Sequence, residues 1–322
     1  MNVLIVESPS KAKSINKYLG SGFKVLASVG HVRDLSPKND AIDTENDFQM
    51  NWETSDRGKK IIKEIIAAAK ISENLYLATD PDREGEAIAW HVEKLLRENS
   101  SLSKLNIHRV TFNEITKNAV LDSLKEPRKV DKDLVNAYLA RRALDFLVGF
   151  NLSPVLWRKL PGSKSAGRVQ SVALRIISER ELEIEKFNPQ EYWSIQGNFI
   201  NKENKIINSR LILFDGIKID KLDIKSEKEA TEIYETLSNS EFNVGNITKK
   251  EAKRNPYPAF TTSTMQIESS RKLGLSASQT MRTAQKLYEG AEINGETTGL
   301  ITYMRTDSVV MAKNAINQVR NF

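Results

Sequence analysis

The sequence predicts an α/β fold with a parallel sheet, followed by a helical region, a β-rich stretch and a second helical region. Two short apolar runs, residues 3–6 and 75–79, each precede a helical pattern, which is typical of buried parallel strands. Carboxylates follow both runs directly. Because ligands bind at the carboxyl ends of strands in open α/β sheets, we expect a functional site at this edge.

The first third of the chain alternates strands and helices. After the strand at 3–6, the pattern predicts a helix at 11–19, a strand near 25–28, an irregular polar stretch at 37–56, a helix around 61–66, the strand at 75–79 and a helix at 84–96. A parallel sheet with helices on its faces accommodates this order.

The remainder of the chain changes character twice. Residues 131–186 predict helices interrupted at Pro154 and at Pro161-Gly162, because proline disrupts helix interiors. Short strands are expected from 192 to about 250, as at 206–214 and 242–247. Helices follow at 262–273 and 276–288, closed by Gly274 and Gly290, then a strand at 299–304 and a final helix. These changes predict four domains, at 1–127 (with the irregular stretch), 128–189, 190–255 and 256–322.

Composition narrows the possible functions. The chain has 322 residues, which suggests more than one domain. It has no cysteine, which excludes a disulfide framework and a thiolate zinc site within these residues. Lysine and arginine number 48 against 42 acidic residues, which permits a polyanionic partner. No apolar run approaches the roughly 20 residues that span a bilayer, and no secretion signal is evident, so we expect no membrane association and a cytoplasmic location.

An acidic cluster follows the second apolar run. Asp80, Asp82 and Glu84 stand at alternate positions between the predicted strand and the next helix. Carboxylate oxygens are the ligands that Mg²⁺ prefers, so the cluster predicts a magnesium site. The alternative is a solvated acidic turn, which is the more common reading of an isolated Asp-x-Asp.

A second carboxylate, Glu7, follows the first strand in the same way, and Lys11 lies one helical turn beyond it. If the two strands are neighbours, Glu7 shares a crevice with the acidic cluster. The alternative role for Glu7 is helix capping beside Ser8 and Ser10.

Five segments resemble the bacterial type IA DNA topoisomerases. Residues 2–20, with Glu7-Ser-Pro-Ser-Lys11, and 77–91, with Asp80-Pro-Asp82-Arg-Glu84, resemble the family's Toprim domain. Residues 28–35 resemble its early loop, 165–171 its strand-binding helix motif and 299–308 its active-site segment. The segments follow the family's order nearly end to end, and the Glu-Ser-Pro-Ser-Lys opening favours the topoisomerase I branch over topoisomerase III.

The resemblance implies a four-domain ring: a Rossmann-like Toprim domain, a helical strand-binding domain, a β-rich arch and a helical tyrosine domain. It implies an ATP-independent, nucleoid-associated monomer that relaxes negative supercoils by acting on single-stranded regions of DNA. The chain stops within an apparent helix and lacks the family's later His-Glu-x-x-Arg segment. We therefore expect a truncated chain with an incomplete ring, which by itself is not expected to relax DNA.

The resemblance also assigns roles to individual residues. Tyr303 would form the 5′-phosphotyrosine link, Lys11 and Arg305 would steady the phosphate, and Glu7 would transfer a proton at the 3′ oxygen. Magnesium would bind Asp80, Asp82, Glu84 and Glu7. Further DNA contacts are expected at His31, Arg141, Arg168, Gln170, Ser171 and Asp307.

Each of these roles has a structural alternative. An apolar-flanked tyrosine such as Tyr303 is often a packing residue, His31 could be a hydrogen-bonded structural histidine, and basic helix faces are commonly only solvated. Two other functions remain open on the residues alone. One is a magnesium-dependent Toprim-type nuclease or primase, and the other is a non-catalytic single-stranded DNA-binding module.

Overall fold

The structure is a computed structural model that describes residues 1–38, 40–293 and 296–322. The chain forms two compact units. The first comprises Met1–Arg168 and Pro256–Phe322, and the second comprises Val169–Asn255. In the described part of the chain, no helix is both long and apolar enough to cross a lipid bilayer.

Alternating strands and helices build the first part of the first unit. In chain order they are β1 (Asn2–Val6), α1 (Pro9–Leu19), β2 (Phe23–Ala27), β3 (Arg33–Leu35), β4 (Ile42–Asp43), β5 (Gln49–Met50), β6 (Trp52–Thr54), α2 (Asp56–Ala69), β7 (Asn74–Leu77), α3 (Arg83–Arg97), β8 (Asn106–Arg109), α4 (Lys117–Ser123) and α5 (Lys132–Lys159). Strands β2, β1, β7 and β8 pair in that order, all parallel. The predicted parallel α/β fold is confirmed.

The parallel sheet is buried on both faces. Successive side chains of a strand point to opposite sides, so neighbouring residues of β1 pack into different apolar clusters. Val3 and Ile5 of β1 pack in one apolar cluster with residues of α2 and α3. Leu4 and Val6 pack in the other, which includes Ile15 of α1. This explains why β1, which lies inside the sheet, is an almost continuous apolar run without alternation.

The stretch at 37–56 is more ordered than predicted. Strand β3 pairs antiparallel with β6, and β4 pairs antiparallel with β5. Leu35 and Ile42 are buried with Ala143 of α5, and Trp52 packs against them. Apolar residues spaced among polar ones therefore anchor two short ladders to a helix, a long-range contact that local patterning does not reveal. Asn39 of this stretch lies outside the described residues.

Pro154 does not interrupt the helical region as predicted, because α5 continues through it to Lys159. The neighbouring Ser153 hydroxyl donates to the Gly149 carbonyl at 2.5 Å and accepts from the Ala166 backbone at 3.1 Å. These two bonds hold the helical turn at Pro154, where proline has no backbone N–H to donate. The predicted break at Pro161 is confirmed, since α5 ends just before it.

The second unit contains strands and two helices. Its elements are α6 (Arg168–Glu185, beginning at the boundary), β9 (Gln196–Ile200), β10 (Ile206–Arg210), β11 (Leu213–Phe214), β12 (Ile217–Lys218) and α7 (Glu227–Ser238). Strand β9 pairs antiparallel with β10, and β11 with β12. The strand predicted at 242–247 is wrong: Val244 and Ile247 are exposed and have no strand partner in this described segment. The helix α7, which was not predicted, buries Ala230 and Ile233.

The chain then returns to the first unit. Its last elements are α8 (Thr262–Leu273), α9 (Ala277–Glu289), β13 (Ala291–Ile293), β14 (Glu296–Thr298) and α10 (Lys313–Asn321). The two predicted helices are confirmed, and Gly274 and Gly290 cap them with positive φ. The strand predicted at 299–304 is wrong, since this described segment pairs with no strand. The Tyr303 backbone N–H instead donates at 2.7 Å to the carbonyl of Asn113, which lies in a loop.

Candidate active site

Glu7 and Asp80 meet because their strands are neighbours. Strand β1 pairs in parallel with β7, and each strand ends just before its carboxylate. The Glu7 carboxylate accepts from the Asp80 backbone N–H at 2.6 Å. The expectation that the two strands share one crevice is therefore confirmed.

Lys11 joins the two carboxylates. Its ammonium group donates to both Glu7 and Asp80 and is only 1% exposed. The position follows from α1, which begins at Pro9 after the Ser8 N-cap and aims Lys11 back toward the strand ends. A buried cation between two carboxylates neutralises part of their mutual repulsion.

Burial dominates the protonation of Glu7. It raises the pKa of the Glu7 carboxyl to about 8, although the charge of Lys11 acts in the opposite direction. The Glu7 carboxyl therefore keeps its proton to a higher pH than a solvated glutamate does.

Asp82 has two separate hydrogen-bonding roles. One oxygen caps α3 by accepting from the Gly85 backbone N–H at 2.8 Å. The other accepts from the Tyr303 hydroxyl at 2.7 Å. Gly85 is required here, because a Cβ at this position would lie 2.2 Å from the Asp80 carbonyl oxygen. The tight turn thus places Asp82 and Tyr303 in contact across 221 positions of sequence.

Tyr303 is packed as well as hydrogen-bonded. It is 7% exposed and belongs to the apolar cluster that contains Leu4 and Val6. Burial, together with the charges of Asp80 and Asp82, raises its pKa above the ordinary value for a phenol. In this state the hydroxyl is protonated and needs a change in its surroundings before it can act as a nucleophile.

Arg305 lies on the same side as Tyr303. It donates to Asp82 at 3.2 Å and to Glu84 at 2.7 Å. The predicted strand at 299–304 would have placed both side chains on one face, because they lie two residues apart. The strand is absent from this described segment, yet both side chains reach the same Asp82 carboxylate.

A cavity of about 390 Å³ joins these groups. The carboxylates Glu7, Asp80, Asp82 and Glu84 line it together with Tyr303 and Arg305. Helix α9 also lines the cavity, through Ser278, Met281, Arg282 and Gln285. Sequence reasoning missed these α9 residues, since they occur at ordinary helical spacing and carry no chemical signature.

The four carboxylates offer oxygen ligands for a divalent cation. Across the described ranges, no three acidic or histidine side chains converge on a single cation position. Asp82 and Glu84 nevertheless share one guanidinium nitrogen of Arg305, and Glu7 and Asp80 share the Lys11 ammonium. Each pair therefore already binds a cation, and two carboxylates with phosphate and water suffice for Mg²⁺. In its chemistry the donor set suits Mg²⁺, while in this state the described carboxylates are engaged by Lys11 and Arg305.

The other predicted DNA-contacting residues lie elsewhere. His31 is exposed and stacks on Tyr138 with ring centroids 5.4 Å apart. Arg141 and Arg168 both pair with Asp145, at 3.6 and 2.8 Å. The remaining three residues are exposed. Gln170 and Ser171 lie on α6, and Asp307 lies two residues after Arg305.

Comparisons with known proteins agree with this arrangement. Residues 2–115 match the family model of the Toprim domain, the class of α/β domain that the sheet and its acidic edge define. Residues 129–322 match the family model described as DNA topoisomerase. The chain therefore belongs to the type IA DNA topoisomerase family.

Similar proteins cover almost the whole chain. DNA topoisomerase 1 of Rickettsia bellii is 52% identical over 321 residues, and that of Zymomonas mobilis is 53% identical over 320. Each alignment covers 99% of this chain but only 40% and 26% of the respective relative. The structure of full-length topoisomerase I from Thermotoga maritima matches with a TM-score of 0.82 and 37% identity, over 99% of this chain and 52% of that one. The chain thus spans about half or less of these proteins.

Proposed function

We propose that this chain supplies the catalytic centre of a topoisomerase that cleaves one DNA strand by transesterification to Tyr303 and later reseals it, relaxing negative supercoils without ATP. The single observation that carries the proposal is the 2.7 Å hydrogen bond from the Tyr303 hydroxyl to Asp82, inside a cavity that Glu7 and Asp80 also line. A nucleophile, a proton donor and cationic side chains for a phosphate meet in one place.

The bond changes follow from these positions. The Tyr303 oxygen bonds to phosphorus, the bond from phosphorus to the 3′ oxygen breaks, and the tyrosine proton passes to Asp82, the carboxylate within reach of it. Glu7 gives its proton to the departing 3′ oxygen, and its raised pKa of about 8 supports that role. Resealing reverses each transfer.

Cationic side chains would stabilise the reacting phosphate. Lys11 and Arg305 each contact two carboxylates in this state, and an entering phosphate would compete with those carboxylates for them. Charge developing on phosphorus in the transition state then meets fixed positive groups.

Asp80, Asp82 and Glu84, with Glu7, would hold Mg²⁺. The bound ion would supply positive charge for aligning the broken ends during resealing. We further propose that the full-length protein acts as a monomer on single-stranded regions of DNA in the cytoplasm, at the nucleoid. His31, Arg141, Arg168, Gln170, Ser171 and Asp307 are proposed as its DNA contacts.

A denaturing quench tests the covalent step. The protein in its full natural length is mixed with single-stranded DNA labelled at either end, and the reaction is stopped with detergent. A 5′-phosphotyrosine link predicts that a 3′-end label stays on the protein, while a 5′-end label appears on a shorter free strand. Tyr303→Phe should abolish both products. The control Tyr257→Phe should leave both labelled products unchanged, because Tyr257 is 98% exposed.

The same experiment separates the rival functions. A Toprim-type nuclease would still cut DNA in the Tyr303→Phe variant and would carry no label. A binding module would retain DNA without cutting it. Adding EDTA to the active protein should preserve adduct formation and prevent resealing if the magnesium proposal is right.

A further inference from the structure

Tyr288 contacts residues of the candidate active site without lining its cavity. It lies in the last turn of α9 and is fully buried. Neither the sequence motifs nor the cleavage chemistry above uses it. A second tyrosine hydroxyl beside buried carboxylates requires an explanation, because a buried phenol is costly unless it is hydrogen-bonded.

Three groups of the site contact this one side chain. The Tyr288 hydroxyl donates to the same Asp80 oxygen that accepts from Lys11, at 3.3 Å. The Lys11 ammonium lies 4.8 Å from the centroid of the Tyr288 ring. The Tyr303 ring meets the Tyr288 ring edge-on, with centroids 5.3 Å apart and planes at 63°.

Each contact restricts a different freedom. The hydroxyl fixes the rotation of the Asp80 carboxylate, the ring face holds the ammonium by cation–π attraction, and the ring edge limits the orientation of the Tyr303 phenol. Lys11 and Tyr303 otherwise reach the site from opposite ends of the chain. Tyr288 touches both.

The backbone holds Tyr288 in register with the nucleophile segment. The Leu300 N–H donates to the Leu287 carbonyl at 2.8 Å. A Cβ on Gly299 would lie 2.9 Å from the Tyr288 carbonyl oxygen, so the two segments pack more closely than a side chain at position 299 would allow.

We propose that Tyr288 is a positioning residue for strand cleavage, which sets the arrangement of Asp80, Lys11 and Tyr303. This inference rests on the proposed function of Tyr303. Because Tyr288 is fully buried, DNA does not touch it, and its loss should change the rate of the chemical step without changing DNA affinity.

The test compares Tyr288→Phe with wild type in the full-length protein. The variant keeps the ring and removes the hydroxyl. At saturating labelled oligonucleotide, the single-turnover rate constant for adduct formation should fall about threefold to tenfold, as expected for one hydrogen bond. The dissociation constant, measured by fluorescence anisotropy, should stay within twofold. Tyr288→Leu also removes the ring and should be slower still, and if it fails to fold, Tyr288→Phe decides alone.

Tyr18→Phe is the matched control. It also removes a tyrosine hydroxyl from the first unit, but that hydroxyl donates to the Thr297 backbone carbonyl at 3.4 Å and not to a carboxylate of the site. Its rate constant should equal that of wild type. A purely structural role for Tyr288 would lower the melting temperature and leave the rate constant of the folded protein unchanged.

Two results would overturn the inference while leaving the proposed function intact: a Tyr288→Phe rate within twofold of wild type, or a loss of rate matched by an equal loss of DNA affinity. The absence of any covalent adduct in wild type would instead overturn the proposed function, and this inference with it.

Discussion

Replacing Glu86 by glutamine should severely destabilise the first unit. Glu86 is fully buried on α3 and accepts from Arg109 at 3.0 Å, from Arg128 at 2.7 and 2.9 Å and from the Asp131 backbone at 2.7 Å. Arg109 is also fully buried. The substitution removes the negative charge and leaves the Arg109 cation without a buried counterion.

The magnitude follows from this burial. Breaking a buried ion pair by removing one partner costs about 3–5 kcal/mol. The cost should extend to the candidate active site, because the Arg109 guanidinium also donates to the backbone carbonyls of Thr79 at 2.8 Å and Asp80 at 2.6 Å. We therefore expect Glu86→Gln to lower both the free energy of unfolding and the rate of adduct formation.

Urea unfolding provides the assay, followed by tryptophan fluorescence, with Trp90 on α3 as a nearby reporter. The matched control is Asp122→Asn, which breaks the exposed pair with Lys125, whose side chains are 69% and 73% exposed. That change should cost less than about 1 kcal/mol. If Glu86→Gln also costs less than about 1 kcal/mol, the ion pairs of Glu86 with Arg109 and Arg128 do not stabilise the first unit.

Three further predictions concern single groups. Burial lowers the pKa of His91 from 6.5 to about 2, so at this site the folded state binds fewer protons than the unfolded state. The contribution of His91 to the free energy of unfolding should therefore fall by about 1.4 kcal/mol between pH 7.5 and 5.5. Urea titrations should show it as the difference in pH dependence between wild type and the non-titrating His91→Asn variant, because the raised pKa of Glu7 acts in the opposite direction in both proteins. Gly85→Ala should abolish adduct formation, because its Cβ overlaps the Asp80 backbone, whereas Gly22→Ala, with nothing within 4 Å, should leave it unchanged in the labelled-oligonucleotide assay. Glu7→Gln should remove the loss of cleavage rate above about pH 8 that the raised pKa of Glu7 predicts, and an identical pH profile in both proteins would exclude Glu7 as the proton donor.

Part of the site could be predicted from local patterns alone. Glu7 and Asp80 each follow an apolar run, and the rule that parallel strands end at one edge brings them together. The contact between Tyr303 and Asp82 could not be obtained this way, because it joins positions 221 residues apart. It was anticipated only through the family resemblance.

The errors in the fold also have physical causes. The run at 242–247 has β-branched and aromatic residues but no neighbouring strand in its described surroundings, so strand propensity alone was insufficient. The helix α7 could have been found, since Ala230 and Ile233 recur at helical spacing after the Ser226 N-cap. The contribution of Tyr288 depends on packing that no local pattern encodes.

The two oxygens of Asp82 accept from different donors, one in α3 and one on Tyr303. This matters for the proposed reaction, in which the nucleophile leaves and later returns. In the proposed cleavage step, Tyr303 leaves with a DNA end attached, and the Asp82 oxygen that loses the phenol keeps its bond from Arg305. The other Asp82 oxygen still accepts from the first turn of α3. Helix capping therefore keeps the Asp82 carboxylate in position while Tyr303 is away, so the acceptor for the returning phenol stays ordered throughout the cycle.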